Sequence, residues 1–447
     1  MAIATSGGEL SVPASVVSRP IAAARVVVGL LQGLVLYWLY NALQQKAWPA
    51  TNGQLFAPLL LVSVYVPILL VSGLGHANLK RLLAWVLAAG AISGCMGFYD
   101  IWRLSPLGVD VGYVRDTHGI LPSFLVFFFT GVGLYIAHAL VLAATADRRW
   151  IARYTSYFDV AWKLAIQIKL SLLFVGVLWL VLQLGAALFM LLNLAFLKDL
   201  LQKSWFSIPI TVLAFSAALH ITDVRPGIVR GIRTLLLVLM SWLLPLATLI
   251  VLGFLLSLPG TGLASLWATR HATAVLLGAA AVLVLLINTA FQNGEIAIQV
   301  SPVLRWSARI AALLLAPIVL IGIYSLGLRV ADYGWTTARV FAAACLLVAS
   351  CYAGGYGWAA IGRGEWLRYV AGVNVATAFL VLTVLLAIFL PIADPARVSV
   401  ASQLARLQAG KVSAAKFDFD FLRFHGERYG WDALQKLKSA SQGAEAT

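Results

Sequence analysis

The chain has 447 residues, of which 62% are hydrophobic and only 11% are charged, and its mean hydropathy is +0.92. Soluble domains carry about 25% charged residues, so this composition excludes an ordinary soluble protein and indicates a membrane protein. The net charge of +15 does not indicate nucleic-acid binding, because the Lys and Arg residues form short groups between apolar runs rather than a basic patch or a recognisable binding motif.

Apolar runs of about 20 residues recur along the chain, and about eleven of them are long enough to cross a bilayer as helices. The runs are continuous rather than alternating, which argues against a membrane β-barrel. The sixth run is short and contains Pro209 and His220, so a re-entrant or interfacial segment is the alternative there. The predicted spans are 21–43, 55–73, 82–102, 121–144, 170–192, 204–221, 235–258, 273–291, 310–328, 340–361 and 369–390.

The orientation is predicted from the positive charges that flank the spans. Connections on the N-terminal side of the membrane carry about sixteen Lys and Arg residues, against about eight on the opposite side. This bias places the N-terminus in the cytoplasm, and an odd number of spans places the C-terminus in the periplasm of a bacterium. The predicted organisation is a short cytoplasmic tail (1–20), an all-α transmembrane domain (21–391) and a soluble helical tail (392–447).

Two further local features are predicted within the membrane domain. Residues 150–169 mix Arg, Tyr and apolar side chains, which indicates a helix lying on the cytoplasmic headgroups before the chain turns into the fifth span. Pro67, Pro245 and Pro317 lie inside predicted spans and are expected to kink them. The first apolar run is expected to remain as an anchor, because the N-terminus lacks the pattern of a signal peptide.

Ionisable side chains are expected to be absent from the middle of the spans, where they would be costly and would usually mark function. Asp100 closes the third span beside Arg103, which predicts an interfacial ion pair rather than a proton relay. His138 and His220 stand alone on apolar helices and are predicted to be hydrogen-bonded packing residues rather than ligands. Transport coupled to protons or cations is therefore not favoured.

Small and amide side chains inside the spans predict contacts between helices. Gly354, Gly355 and Gly357 fall within one helix, where tight packing is the first interpretation and a lipid or ligand groove is the second. Asn288 belongs to the same candidate packing or groove set. Amide side chains expected to bond across helices are Gln32, Gln183, Asn193, Asn288 and Asn374.

No catalytic motif is found, so an enzyme is not expected, and neither a cofactor nor a metal is predicted. The three cysteines lie in apolar runs without metal-ligand spacing. A loop on the predicted outer face holds polar residues that could meet a lipid headgroup or a metal, with a solvated loop as the competing interpretation. These loop residues are Asp110, Asp116 and His118.

The C-terminal tail is predicted to form two or three short helices. Ser399 is expected to cap the first, Gly410 to end it, and Ser413 to cap the second. Aromatic side chains at helical spacing are expected to pack on the outer face of the membrane domain, because about fifty residues bury little core alone. The predicted docking or partner surface comprises Phe417, Phe421, Arg423, Phe424 and Trp431.

Five segments carry a family resemblance: AWPATNGQLFAPLLLVSVYVPILL from Ala47, FYDIWR from Phe98, NTAFQNGE from Asn288, YGWTTARV from Tyr333, and the tail sequence from Asp394 to Gly430. With these segments the chain resembles a bacterial family of polytopic inner-membrane proteins classed as a domain of unknown function. The resemblance implies a multi-helix membrane body with a C-terminal appendage. It implies no reaction, substrate or catalytic residue.

The sequence therefore favours a non-enzymatic protein of the bacterial inner membrane whose periplasmic tail binds an envelope partner or closes the membrane domain. Its expected partners are the lipid bilayer and a periplasmic or membrane protein. A permease or flippase for a neutral or lipidic substrate is the alternative. An enzyme acting on a lipid-linked substrate is the least favoured hypothesis.

Overall fold

The computed structural model describes residues 19–104, 120–262, 272–294, 300–362 and 369–445. Throughout these ranges the regular secondary structure is helical, and no β-strand is formed. Eleven helical segments within them are long and apolar enough to cross a membrane. The prediction of an all-α, multi-pass membrane protein with a small helical C-terminal region is confirmed.

The elements follow in chain order, and helices α8 and α9 together make one candidate span. They are α1 (Arg19–Gln44), α2 (Gly53–Gly73), α3 (Leu79–Leu104), α4 (Phe124–Ala146), α5 (Tyr154–Leu191), α6 (Phe196–Gln202), α7 (Ser204–Val224), α8 (Pro226–Ser241), α9 (Leu243–Thr261), α10 (Ala272–Phe291), α11 (Pro302–Tyr333), α12 (Thr337–Ile361) and α13 (Val370–Phe389). The tail adds α14 (Pro395–Gln408), a 3₁₀ turn (Ala414–Lys416), α15 (Phe419–Phe424) and α16 (Glu427–Glu445).

The membrane helices pack in two neighbouring groups. Helix α1 packs on α2 and α7, α2 packs on α3, and α5 packs on α7. In the second group α11 packs on α9, α10 and α12, where Ala308, Ala311 and Ala312 are fully buried and allow the helices to approach closely. Helix α13 joins the groups because it packs on α12 and also on α4 and α5.

In three spans the structure corrects the sequence prediction or resolves an alternative that the prediction left open. The prediction of a turn before the fifth span is wrong: α5 is one 38-residue helix, and no Gly or Pro interrupts it before Gly176. The sixth span is an unbroken 21-residue helix despite Pro209. The seventh is broken at Trp242, because the Pro245 nitrogen cannot donate to the carbonyl one turn earlier. Pro67 lies inside an unbroken α2.

The first tail helix begins earlier than predicted. Asp394 is its N-cap, since its carboxylate accepts from the amides of Ala396 and Arg397 at 2.7 and 3.1 Å. The prediction that Ser399 caps this helix is wrong, because Ser399 is buried inside it and donates to the Pro395 carbonyl. Gly410, at φ +68°, lies just after its end, as the sequence predicted.

The remaining tail elements form a small core on the first helix. The Ser413 side chain caps nothing, whereas the Asp418 carboxylate accepts from the Phe421 amide and caps α15. Val400, Leu422 and other side chains from all three tail helices pack together. The tail therefore has an apolar centre of its own.

Candidate functional site

A cavity of about 690 Å³ lies among helices α10, α12 and α13. Helix α12 packs on both α10 and α13, which supply the two other long walls of the cavity. Small residues such as Gly278, Ala281 and Ala344 leave the space open. Of the lining side chains, only Asn288, Cys345 and Tyr352 carry polar atoms. The apolar lining includes Phe129, Leu277, Val284, Leu285, Leu315, Phe341, Val348, Val381, Val384, Leu385, Ile388 and Phe389.

Four side chains from four helices form a hydrogen-bonded network at the Asn288 end of the cavity. The Asn374 amide donates to Asn288 Oδ1 at 2.6 Å and to the Tyr154 hydroxyl at 3.0 Å. Asn288 Nδ2 donates to the Tyr356 hydroxyl at 2.9 Å, and that hydroxyl donates to Asn374 Oδ1. Since each amide finds partners among the others, the network ties α5, α10, α12 and α13 together at little desolvation cost.

The network joins two asparagines that the sequence had assigned separately to adhesion between helices. Asn288 also faces the cavity, so it combines helix contact with a lining position. The three glycines do not share one role. A Cβ on Gly355 would meet Val373 of α13, whereas nothing lies within 4 Å of a Cβ built on Gly354 or Gly357. None of the three lines the cavity.

A second polar centre surrounds Asp223 at the end of α7. Its carboxylate contacts Arg25 Nη2 and Lys163 Nζ, each at 2.7 Å, and His76 Nε2 at 2.9 Å. The Gln167 amide donates to Asp223 Oδ1 at 3.2 Å. Arg25 is 1% exposed, so its buried positive charge has to be stabilised by these partners. The centre holds α1, α5, α7 and the α2–α3 connection together.

Sequence reasoning missed this centre. No individual role was predicted from the sequence for Arg25, Lys163 or Asp223. The sequence feature that could have revealed this polar centre is the spacing of His220 and Asp223, which are three residues apart and therefore lie on one face of α7. His220 Nδ1 lies 3.3 Å from Arg25 Nη1, so this histidine is hydrogen-bonded, as predicted, and its partner is a buried charge. His138 is likewise buried and hydrogen-bonded as predicted.

A third polar centre joins the tail to the end of α3. Arg103 Nη2 lies 2.8 Å from Asp100 Oδ1, which confirms the predicted ion pair. Arg103 Nη1 also lies 3.4 Å from Asp394 Oδ2, and Arg103 Nε lies 3.4 Å from Glu427 Oε2. Burial, opposed by Arg103 and reinforced by the Asp394 and Asp100 carboxylates, raises the pKa of Glu427 to about 7.

Further bonds fix the tail against the membrane helices. Gln403 Nε2 donates to the carbonyls of Tyr333 and Trp335, each at 3.0 Å, and Arg406 Nη2 donates to the Asp332 carbonyl at 2.6 Å. The carbonyls of Asp332 and Tyr333 belong to the last turn of α11, which leaves them without a helical partner, and the Trp335 carbonyl lies in the connection that follows. The tail is therefore docked through its polar residues.

The aromatic side chains of the predicted docking or partner surface are divided between the core of the tail and solvent. Phe417 is buried in the tail's own core and Phe421 packs against it, so their packing on the membrane domain is not observed. Phe424 is exposed, and the Arg423 guanidinium lies 5.4 Å from its ring centroid. Trp431 is half-buried. Within α15, Leu422 is fully buried and Phe421 packs in the tail core, whereas Phe419 and Phe424 are exposed.

The loop residues Asp110, Asp116 and His118 lie outside the described part of the chain. Among the described residues, no group of three or more His, Cys, Asp or Glu side chains is placed to hold a metal ion. The sequence matches no family model, no curated protein and no solved structure. The function is therefore argued from the geometry of this chain.

Proposed function

We propose that this protein is a non-enzymatic membrane protein that binds a neutral or lipidic molecule in the cavity among α10, α12 and α13. The observation that carries the proposal is the combination of a long apolar space with a polar network at one end. Binding sites for small molecules are typically of this size, mostly apolar, and supplied with a few orienting polar groups.

The lining indicates which chemistry the ligand has. Among the described residues no charged side chain lines the cavity, so an ionised group would find no partner there. An acyl or isoprenoid chain fits the Leu, Val and Phe walls by burying apolar surface. Both N–H groups of Asn288 already donate, to the Val284 carbonyl and the Tyr356 hydroxyl. A hydroxyl or amide N–H at the ligand's end would therefore donate to Asn288 Oδ1, and a hydroxyl, ester or amide oxygen would accept from the Tyr352 hydroxyl. We therefore propose a lipid-like ligand with an uncharged polar end inside the cavity.

The test fills the cavity from one wall. Ala344→Trp places an indole into the space, whereas Leu347→Trp changes the same helix at a position that is 53% exposed and does not line the cavity. Both proteins are purified and their bound lipids are measured by native mass spectrometry. We expect lipid retention to fall for Ala344→Trp alone. Equal retention by both variants and the natural protein would refute the proposal.

Translocation of the ligand is the second candidate function. The α12 residues that line the cavity extend from Phe341 to Tyr352, about 16 Å along the helix axis, or roughly half of a bilayer core. A permease or flippase would have to open the polar network at the Asn288 end to complete the path. Liposomes that contain the protein and move no labelled neutral lipid would eliminate this candidate and leave binding intact.

The tail adds a proposed assembly role. Its docked side is occupied by the bonds to α3 and α11, whereas Phe419, Arg423 and Phe424 are exposed. We propose that this free side contacts an envelope or membrane protein. A photocrosslinker at Phe424 should give intermolecular products in cells, and one at the buried Phe417 should not. Only intramolecular products at both positions would contradict an assembly role.

We further propose that the protein resides in the bacterial inner membrane with a cytoplasmic N-terminus and a periplasmic tail. The excess of Lys and Arg on one side of the spans and the family resemblance support this placement. A phosphatase reporter fused after residue 445 should be active, since that enzyme needs an oxidising compartment. An inactive fusion that is expressed at normal levels would reverse the orientation.

A further inference from the structure

A second cavity, of about 450 Å³, opens beside the end of α4 and is charged at one end and apolar at the other. Arg81 from the start of α3 and Arg148 and Arg149 from the α4–α5 connection line its mouth. The other walls are formed by side chains of α3, α4 and α13, together with Tyr157 of α5. The lining residues of these walls are Ala84, Leu140, Val141, Ala144, Thr145, Tyr157 and Phe379.

The three arginines at the mouth carry charge that the described part of the chain does not neutralise. All three are exposed, and their guanidinium groups make neither an ion pair nor a hydrogen bond with any described residue. The neighbouring acid, Asp147, is engaged elsewhere: its carboxylate accepts from the Arg153 amide at 2.8 Å and the Ser156 hydroxyl at 2.7 Å. The mouth is therefore positive, and no counter-ion for it is present among the described residues.

The connection that carries two of these arginines is held in a fixed shape. Arg148 has a left-handed backbone conformation, φ 53°, which ends α4 and reverses the chain. Further on, the buried Ala152 amide donates to the Tyr157 hydroxyl at 2.8 Å. Because Tyr157 belongs to α5 and also lines the cavity, the loop is fastened to the wall below it. The arginines are thus presented by a built loop rather than by a free chain end.

We propose that this cavity binds one anionic phospholipid, with the headgroup phosphate at Arg81, Arg148 and Arg149 and an acyl chain along Leu140 and Phe379. Each arginine guanidinium can donate two parallel hydrogen bonds to a phosphate. Trp150, 99% exposed at the mouth, lies where an indole meets the headgroup layer. A free phosphate would use the arginines only, so the apolar depth of the cavity identifies a lipid as the occupant.

The site is separate from the cavity among α10, α12 and α13. Its ligand needs a negatively charged group, whereas the ligand of the other cavity needs an uncharged one. That cavity has no charged lining residue, whereas this one has three. The inference therefore does not depend on the proposed function. An annular lipid held in this position would stabilise the junction of α3, α4 and α13 at one membrane face.

The experiment measures binding of short-chain phosphatidylglycerol and phosphatidylcholine to the purified full-length protein by native mass spectrometry. The test variant is Arg81→Gln/Arg148→Gln/Arg149→Gln. The control is Arg230→Gln, an exposed arginine near the start of α8 that does not line the cavity. Each arginine near a membrane surface is worth about fivefold in anionic lipid binding, so the triple variant should lose about a hundredfold.

We expect one phosphatidylglycerol to bind the natural protein and the Arg230→Gln variant in preference to phosphatidylcholine, and the triple variant to lose that preference. Equal binding by the triple variant would overturn the inference, as would equal affinity for the two lipids. Inorganic phosphate that displaces phosphatidylglycerol at the same concentration would overturn the lipid assignment. A second variant, Ala144→Phe, keeps all charges and narrows the apolar depth. It should also weaken binding, and unchanged binding would contradict an acyl-chain role.

Discussion

The Tyr99 hydroxyl donates to a carboxylate oxygen of Asp394 at 2.9 Å, across 295 positions of the sequence. Both side chains are buried, and the second Asp394 oxygen caps the first tail helix. One carboxylate therefore starts the tail and binds it to the end of α3. Loss of this carboxylate should destabilise both α14 and its contact with α3, because a buried hydrogen-bond donor left without its acceptor is desolvated without compensation.

Replacing this carboxylate should release the tail from the membrane domain. Asp394→Ala removes a helix cap, worth about 1 kcal/mol, and leaves buried Arg103 with one partner fewer, for a total of about 3 kcal/mol. Hydrogen exchange should increase across residues 395–408 and the thermal midpoint should fall. Asp418→Ala is the matched control, because it removes only the cap of α15. Equal exchange in the two variants would contradict the coupling.

Glu427 should make the stability of the docked tail depend on pH. Its pKa is about 7 in the folded protein, where burial, Asp394 and Asp100 favour the neutral acid against the opposing charge of Arg103. Between its unfolded pKa near 4.5 and pH 7 the folded state holds more protons, so the free energy of unfolding should fall as pH rises. The change approaches about 3 kcal/mol and levels off above pH 7.

The check is thermal unfolding of Glu427→Gln in buffers from pH 5 to pH 8. The amide is neutral throughout, so this variant should lose the slope and be more stable than the natural protein at pH 8. Asp432→Asn alters an exposed acid on the same helix and should keep the slope. A natural protein without a slope in this window would show that Glu427 is ionised in the folded state.

Neutralising Asp223 should destabilise the first group of helices. Asp223→Asn leaves Arg25, 1% exposed, without its anionic partner, which typically costs about 3 to 5 kcal/mol. We expect a large drop in the thermal midpoint of the detergent-solubilised protein. Asp199→Asn, at an exposed position of α6, should change it little. A similar midpoint for both variants would mean that water or an ion replaces the carboxylate.

The three glycines of α12 should respond differently to alanine. Gly355→Ala inserts a methyl group against Val373, whose β-branched side chain has little freedom to move, and should cost about 1 to 3 kcal/mol. Gly354→Ala and Gly357→Ala meet nothing within 4 Å, so they should be neutral or slightly stabilising. Thermal unfolding of the three variants measures the order, and equal effects would contradict the close approach of α12 and α13.

The positions of the membrane helices were determined by the apolar runs of the sequence. Lipid offers no partner for backbone groups, so each long apolar run has to become a helix, and the predicted spans agree with the described helices to within a few residues in most cases. The exceptions are instructive. Helix α5 is longer because nothing in its sequence stops it, and the seventh span is broken because Pro245 removes a backbone donor.

Tertiary structure decided which side chains meet. Asn288 and Asn374 could be predicted to bond across helices, but their shared network with Tyr154 and Tyr356 depends on how four helices pack. The partners of Asp223 likewise come from three different parts of the chain, α1, the α2–α3 connection and α5. The hydropathy of a segment reports how apolar its side chains are. It carries no information about which distant residues those side chains contact. The sequence therefore determines that the chain lies in a membrane, while helix packing alone creates its cavities and pairs its buried charges.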